Sequence, residues 1–124
     1  DLLIPLLKLK PLTFKLQNFI IAANLPYLTT KELNNLQIKY EPKTALDGGL
    51  DGLKYFRKFF QQIKKYKIKP LAIFLEIGYN QGAEITKLAK LVLPNYKIKV
   101  QKDFCALDRV IAITKKNPDK ISGF

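Results

Sequence analysis

Hydrophobic and polar positions alternate in blocks along this chain, and the blocks have different periods. Phe19 to Ala23 is an unbroken apolar run bounded by Asn18 and Asn24. A short continuous run of this kind predicts a strand buried on both faces. Residues 71–77, Leu-Ala-Ile-Phe-Leu-Glu-Ile, repeat the pattern and stop at Gly78. Residues 96–101 alternate instead, with Tyr96, Ile98 and Val100 on one side and Lys97, Lys99 and Gln101 on the other. That is the period of a half-exposed strand. Residues 108–114 are its predicted antiparallel partner.

Between the strands the apolar spacing changes to three and four. Leu50, Leu53, Phe56, Phe60 and Ile63 predict an amphipathic helix over 50–66, with Asp47 or Asp51 near its positive end and Pro70 beyond it. Ile85, Leu88, Leu91 and Val92 predict a second helix over 82–92. A short helix capped by Thr30 is expected up to Gln37. Pro42 and the pair Gly48-Gly49 mark a loop, and Leu3 to Leu16, with two prolines, reads as an irregular connector.

The order is strand, helix, strand, helix and strand pair. Strand–helix–strand units join parallel strands through right-handed crossovers. The expected fold is therefore α/β, a parallel sheet closed by a carboxyl-terminal antiparallel hairpin. The alternating strand belongs at the edge, which puts 108–114 between 71–77 and 96–101.

Composition narrows the chemistry. A chain of 124 residues, 48% hydrophobic and 26% charged, suits one globular domain, with 115–124 as a tail. It contains no His, which excludes Ser-His-Asp triads, histidine acid–base catalysis and histidine metal ligation. The single Cys105 forms no internal disulfide or cysteine cluster, so no metal site is expected; a buried or half-buried thiol is. Pro5, Lys8, Lys10 and Lys15 interrupt the apolar amino-terminal stretch, which has neither the length of a membrane span nor the features of a signal peptide. A cytoplasmic, reducing setting is expected. The net charge is +12, and only Arg57 and Arg109 among the 22 basic residues are not Lys. Such a charge favours proximity to RNA, ribosomes or an acidic protein, or simply keeps the surface solvated.

Asn24-Leu25-Pro26-Tyr27 follows the first predicted strand. In open α/β sheets ligands bind beyond the carboxyl ends of parallel strands. Asn24 would offer a side-chain acceptor there and Leu25 a backbone acceptor. Pro26 fixes its own φ and keeps Leu25 extended. Tyr27 adds a flat face. Two converging acceptors beside a stacking face suit a planar –NH2, as on a glutamine amide or adenine. Holding both hydrogens favours positive charge on nitrogen as it attacks an electrophile.

Four segments in register, Ala-Ala-Asn-Leu-Pro-Tyr-Leu-Thr-Thr-Lys-Glu-Leu from residue 22, Tyr-Glu-Pro-Lys-Thr-Ala-Leu-Asp-Gly-Gly-Leu-Asp-Gly-Leu from residue 40, Leu-Glu-Ile-Gly-Tyr-Asn-Gln-Gly from residue 75 and Ala-Leu-Asp-Arg-Val-Ile-Ala-Ile from residue 106, resemble the release-factor glutamine methyltransferase family. The resemblance runs from Asp1 to about Thr114 and covers the carboxyl-terminal half of a family member. It implies an incomplete class I methyltransferase (Rossmann-like) sheet. It also implies methyl transfer from S-adenosyl-L-methionine to the glutamine side-chain amide of the Gly-Gly-Gln motif in peptide chain release factors. Asn24 matches the Asn of the family's Asn-Pro-Pro-Tyr signature, the group that accepts from the amide beside the methyl donor. Pro26 and Tyr27 match the second Pro and the Tyr; Leu25 departs from the first Pro, whose role falls mainly on its backbone carbonyl. Asp1 and Leu2 match the stretch edging the adenine pocket.

The family's acidic-Gly-x-Gly loop, its ribose-binding carboxylate and its amino-terminal helical domain have no counterpart here. The chain also starts at Asp1 without any Met. It is therefore expected to be a piece of a longer enzyme, inactive alone. Glu41 is a candidate for ordering a substrate loop, Glu76 for positioning one, and Asn80 and Gln81 for lining the cleft edge. Tyr55 and Arg57 are expected to pack on a helix surface, and Asp108 and Arg109 to shape the hairpin entry without chemistry. Two other readings stand beside the first: an adenine-N6-type RNA or DNA methyltransferase, and a non-enzymatic basic domain that binds ribosomes or RNA.

Overall fold

The computed structural model describes residues 2–3, 18–35 and 45–116. Asp1, Glu41, Pro42, residues 117–124 of the expected tail and the connector beyond Leu3 lie outside the described residues.

Four strands and three helices follow in the order β1 (Ile20–Asn24), α1 (Thr30–Asn35), α2 (Lys54–Lys65), β2 (Ala72–Glu76), α3 (Gly82–Val92), β3 (Tyr96–Lys102) and β4 (Asp108–Lys115). They form one open four-stranded sheet in the order β1-β2-β4-β3. β1 and β2 are parallel; β4 is antiparallel to both its neighbours. The alternating strand is at the edge, as its pattern requires. β4 continues through Lys115, into what the sequence suggested as tail.

α2 and α3 cover one face. Phe56, Phe59, Phe60 and Ile63 of α2 and Ile85 and Ala89 of α3 meet Ile73, Leu75, Ile111 and Ile113 in one core. The Phe59 and Phe60 rings pack edge to face at 5.3 Å. Each such buried side chain contributes about 1.5–3 kcal/mol over its exposed state.

The opposite face corrects the reading of β1. Ile20, Ala22 and Asn24 are exposed, and Ile20 keeps 60% of its surface. Their neighbour Phe74 on β2 is 38% exposed. An unbroken apolar run signals two-sided burial only where something covers both sides, and no described element covers this one.

Other boundaries shift for local reasons. α2 starts at Lys54, so Leu50 lies in the preceding turn and is exposed, while Phe59 joins the buried stripe. Neither aspartate caps α2 as a side-chain N-cap; Asp51 instead accepts from the Leu53 N–H at 3.0 Å and pairs with Arg57. Leu91 is exposed, and Ala89 takes its place in the core. The cap of α1 is Thr29 rather than Thr30. Thr29 Oγ1 accepts from the Glu32 N–H at 3.1 Å, and Glu32 accepts from the Thr29 N–H at 2.7 Å. That reciprocal pair is a capping box. Cys105 sits on the β3–β4 turn and is exposed rather than buried.

Candidate functional site

β1 ends at Asn24, which is in register with Glu76 at the end of β2. The carboxyl end of the parallel pair thus carries an amide and a carboxylate side by side. Asn24 is exposed, and its side chain makes no hydrogen bond among the described residues. Leu25 turns the other way and is buried in the core at 6% exposure. The alternation of a strand ending puts the polar residue out and the apolar one in. Leu25 therefore serves packing at this position.

The backbone after Leu25 is held by two loops. Gly48 and Gly52 lie so close that a Cβ on Gly48 would stand 2.9 Å from the Pro26 carbonyl oxygen, and one on Gly52 2.4 Å from that of Tyr27. Gly52 also has φ +75°, a conformation glycine tolerates best. The Gly48 N–H donates to the Leu28 carbonyl at 2.7 Å. The glycine-rich segment is thus a backbone platform under the Asn24–Tyr27 turn.

Gln81 ties the platform together. Its Nε2 donates to the carbonyls of Tyr27 at 2.9 Å and Gly52 at 3.2 Å, and its Oε1 accepts from the Gly78 N–H at 2.9 Å. It is 7% exposed, so three loops share one buried amide. Gln81 does begin α3, but its side chain reaches back to the turn. Asn80 is exposed and takes no part in this clamp.

The Tyr27 hydroxyl donates to Glu76 Oε1 at 3.2 Å and accepts from Arg109 Nη1 at 3.5 Å. Arg109 is also bonded to Asp103 at 3.2 Å. Burial first, and then the Glu76 charge, push the Tyr27 phenol above its ordinary value of 10.0. The phenol stays protonated and its ring is fixed at one end. Arg109 was expected only at the hairpin entry; it reaches the turn because β4 lies next to β2. Asp108 pairs with Lys102 at 2.8 Å on the exposed hairpin. Tyr55 packs partly against the core, and Arg57 is an exposed ion-pair partner.

Among the described residues no group of three or more acidic or Cys side chains could hold a metal ion. Of the residues matched to the S-adenosyl-L-methionine site, Leu2 and Asn24 are among those described. Leu2 packs against the core, and the glycine platform is filled by the chain's own backbone. These residues offer two acceptors, the Asn24 side chain and the Leu25 carbonyl, neither of which is engaged in a hydrogen bond among the described residues.

Over 98 residues the chain is 43% identical to a release factor glutamine methyltransferase of Thermodesulfovibrio yellowstonii, covering 77% of this chain and 35% of that protein. It is 33% identical over 102 residues to the same-named protein of Bacillus subtilis, with 79% and 35% covered. The chain thus spans about a third of the length of the relatives it matches. A solved protein-(glutamine-N5) methyltransferase, release factor-specific, from Alicyclobacillus acidocaldarius aligns over 52% of this chain and 41% of its own with 32% identity and a TM-score of 0.43. No family model matches the chain.

Proposed function

We propose that this chain, which resembles the release factor glutamine methyltransferases over three-quarters of its length, carries the amide-binding site of a protein-glutamine N-methyltransferase. The acceptor is the glutamine side chain of the Gly-Gly-Gln motif in a peptide chain release factor, in the cytoplasm. S-adenosyl-L-methionine supplies the methyl group, with Asn24 beside the methyl donor and Leu2 at the edge of the adenine pocket. The observation that carries this reading is Asn24 itself. It stands at the carboxyl end of a parallel strand pair, exposed and without a side-chain partner among the described residues, on a turn pinned by Gln81 and two glycines.

Asn24 Oδ1 and the Leu25 carbonyl oxygen accept the two amide N–H hydrogens of the substrate. That orients the nitrogen and stabilises the positive charge that grows on it as it attacks. Tyr27 offers its ring to the flat amide while its hydroxyl is held by Glu76. No histidine base is needed, since an alkylated amide nitrogen is strongly acidic and sheds its proton to water.

The test is methyl transfer by the enzyme carrying these residues to three acceptors: a Gly-Gly-Gln peptide, a Gly-Gly-Asn peptide and adenosine. Transfer confined to the glutamine peptide is expected. Transfer to adenosine in preference to the peptide would replace this reading by the adenine one.

A further inference from the structure

We propose that a lysine-lined groove at the amino end of the sheet binds the phosphodiester backbone of a single-stranded nucleic acid. The groove measures ≈ 750 Å³, and Lys64, Lys67, Lys69, Lys115 and Lys116 stand around an apolar floor beside Tyr96. Among the described residues no Asp or Glu lines it. Among the described residues none of the five has a carboxylate partner, whereas Lys87 and Lys102 are paired with Glu84 and Asp108.

The helix dipole does not account for this cluster. A lysine in the last turn of a helix gains about 0.3–1 kcal/mol from the negative end. Lys64 occupies that turn of α2, but Lys67 and Lys69 lie beyond it, and Lys115 and Lys116 come from the end of β4. They converge only because β4 runs antiparallel to β2, with Thr114 opposite Ala72.

Lys67 gives a second, independent sign. α2 ends with the Ile68 N–H donating to the Ile63 carbonyl at 3.0 Å and the Lys67 N–H to that of Lys64 at 3.3 Å. This is a Schellman ending, whose left-handed position is usually glycine. Here that position is Lys67, with φ 52°. The left-handed conformation costs a residue with a Cβ about 1–2 kcal/mol. A strained lysine where glycine is the easier residue, at the mouth of a groove of lysines, points to a role for its charge.

A concave basic channel beside an aromatic ring suits one strand of polyanion. The Tyr96 hydroxyl donates to the Pro70 carbonyl at 2.8 Å, so its ring is fixed. Lysines present point charges rather than the planar fork of arginine, so binding is independent of sequence. Asn24 and Glu76 are at the other end of β2, roughly 13 Å away at about 3.3 Å per residue. A bound strand leaves them open, and the groove does not depend on the methyl-transfer reading.

Fluorescence anisotropy of a labelled uridine 12-mer across a salt series tests this. Five engaged lysines predict a slope of log K against log salt of about −3.5, at ~0.7 per phosphate contact. Lys64→Gln/Lys69→Gln/Lys115→Gln should reduce it to about −1.4, while Lys31→Gln/Lys97→Gln/Lys99→Gln, with the same loss of charge, leaves it unchanged. Lys67→Gly should raise the melting temperature yet weaken binding, which separates loss of contact from loss of fold. Equal effects of the two triple variants, an unaffected Lys67→Gly, or tighter binding of polyglutamate or anionic vesicles than of the 12-mer would overturn the proposal.

Discussion

The Tyr27 hydroxyl donates to the Glu76 carboxylate at 3.2 Å and accepts from Arg109 at 3.5 Å, so one phenol joins the turn after β1 to the ends of both strands beyond it. Its proton is held more tightly in the fold than in the unfolded chain, chiefly through burial. A raised pKa contributes stability that is complete below pH 10.0 and lost as pH rises through the folded value. Tyr96 is raised in the same direction by burial. Urea titrations from pH 8 to 12 should therefore show stability falling at the alkaline end, and Tyr27→Phe should flatten that fall. A slope unchanged by Tyr27→Phe would mean that the phenol titrates alike in both states.

Gln81 is the residue on which the turn depends most. Gln81→Ala leaves two carbonyls and an N–H without their partner, at about 1–3 kcal/mol for each buried group left unsatisfied. Gln81→Glu should be worse near neutral pH, because a carboxylate oxygen then faces the carbonyls of Tyr27 and Gly52. It should recover on acidification as the new carboxyl gains a proton. Melting curves of both variants at pH 4.5 and 7.5 decide; equal behaviour of Gln81→Glu at the two values contradicts the clamp.

Neighbouring residues of the turn should separate cleanly into packing and exposed chemistry. Leu25→Ala empties a site that is 6% exposed and should cost about 2–5 kcal/mol. Asn24→Ala, at an exposed position, should stay within about 0.5 kcal/mol of the parent. Leu25→Pro should lower stability while methyl transfer stays within a few-fold. Urea midpoints check the stability values.

Much of this was legible in the sequence, for reasons that differ by residue. The alternation of Tyr96 to Gln101 marked an edge strand, and the edge fixed the strand order β1-β2-β4-β3. Asn24 at a strand end followed from the polar residue that closes an apolar run. Gln81 and Arg109 were not legible in their roles, because a single Gln at a helix start and a single Arg in a strand carry no periodic signal. Their partners lie 54 and 82 positions away. A better clue was available for the glycines: Gly48, Gly49 and Gly52 follow no strand, which already argues for packing rather than a phosphate cradle. Cys105 misled because cysteine is usually buried, whereas the turn around Asp103 presents it to solvent.

The cofactor side is open to a direct check. Residues 1–124 contain no acidic-Gly-x-Gly loop after a strand, and the described glycines hold the chain's own backbone. Calorimetry with millimolar S-adenosyl-L-methionine should show no saturable binding to these residues. Tight binding would place a cofactor site where nothing in this account puts one.

The most direct measurement is steady-state methyl transfer to a Gly-Gly-Gln peptide by the enzyme carrying Asn24→Ala, read beside its melting temperature. Loss of one preorganised acceptor predicts a fall in kcat/KM of about 10²–10³-fold, with the melting temperature unchanged because the side chain is exposed and unpartnered among the described residues. A variant that folds normally and transfers methyl groups within a few-fold of the parent would contradict the account, since Asn24 would then not be the group that holds the glutamine amide.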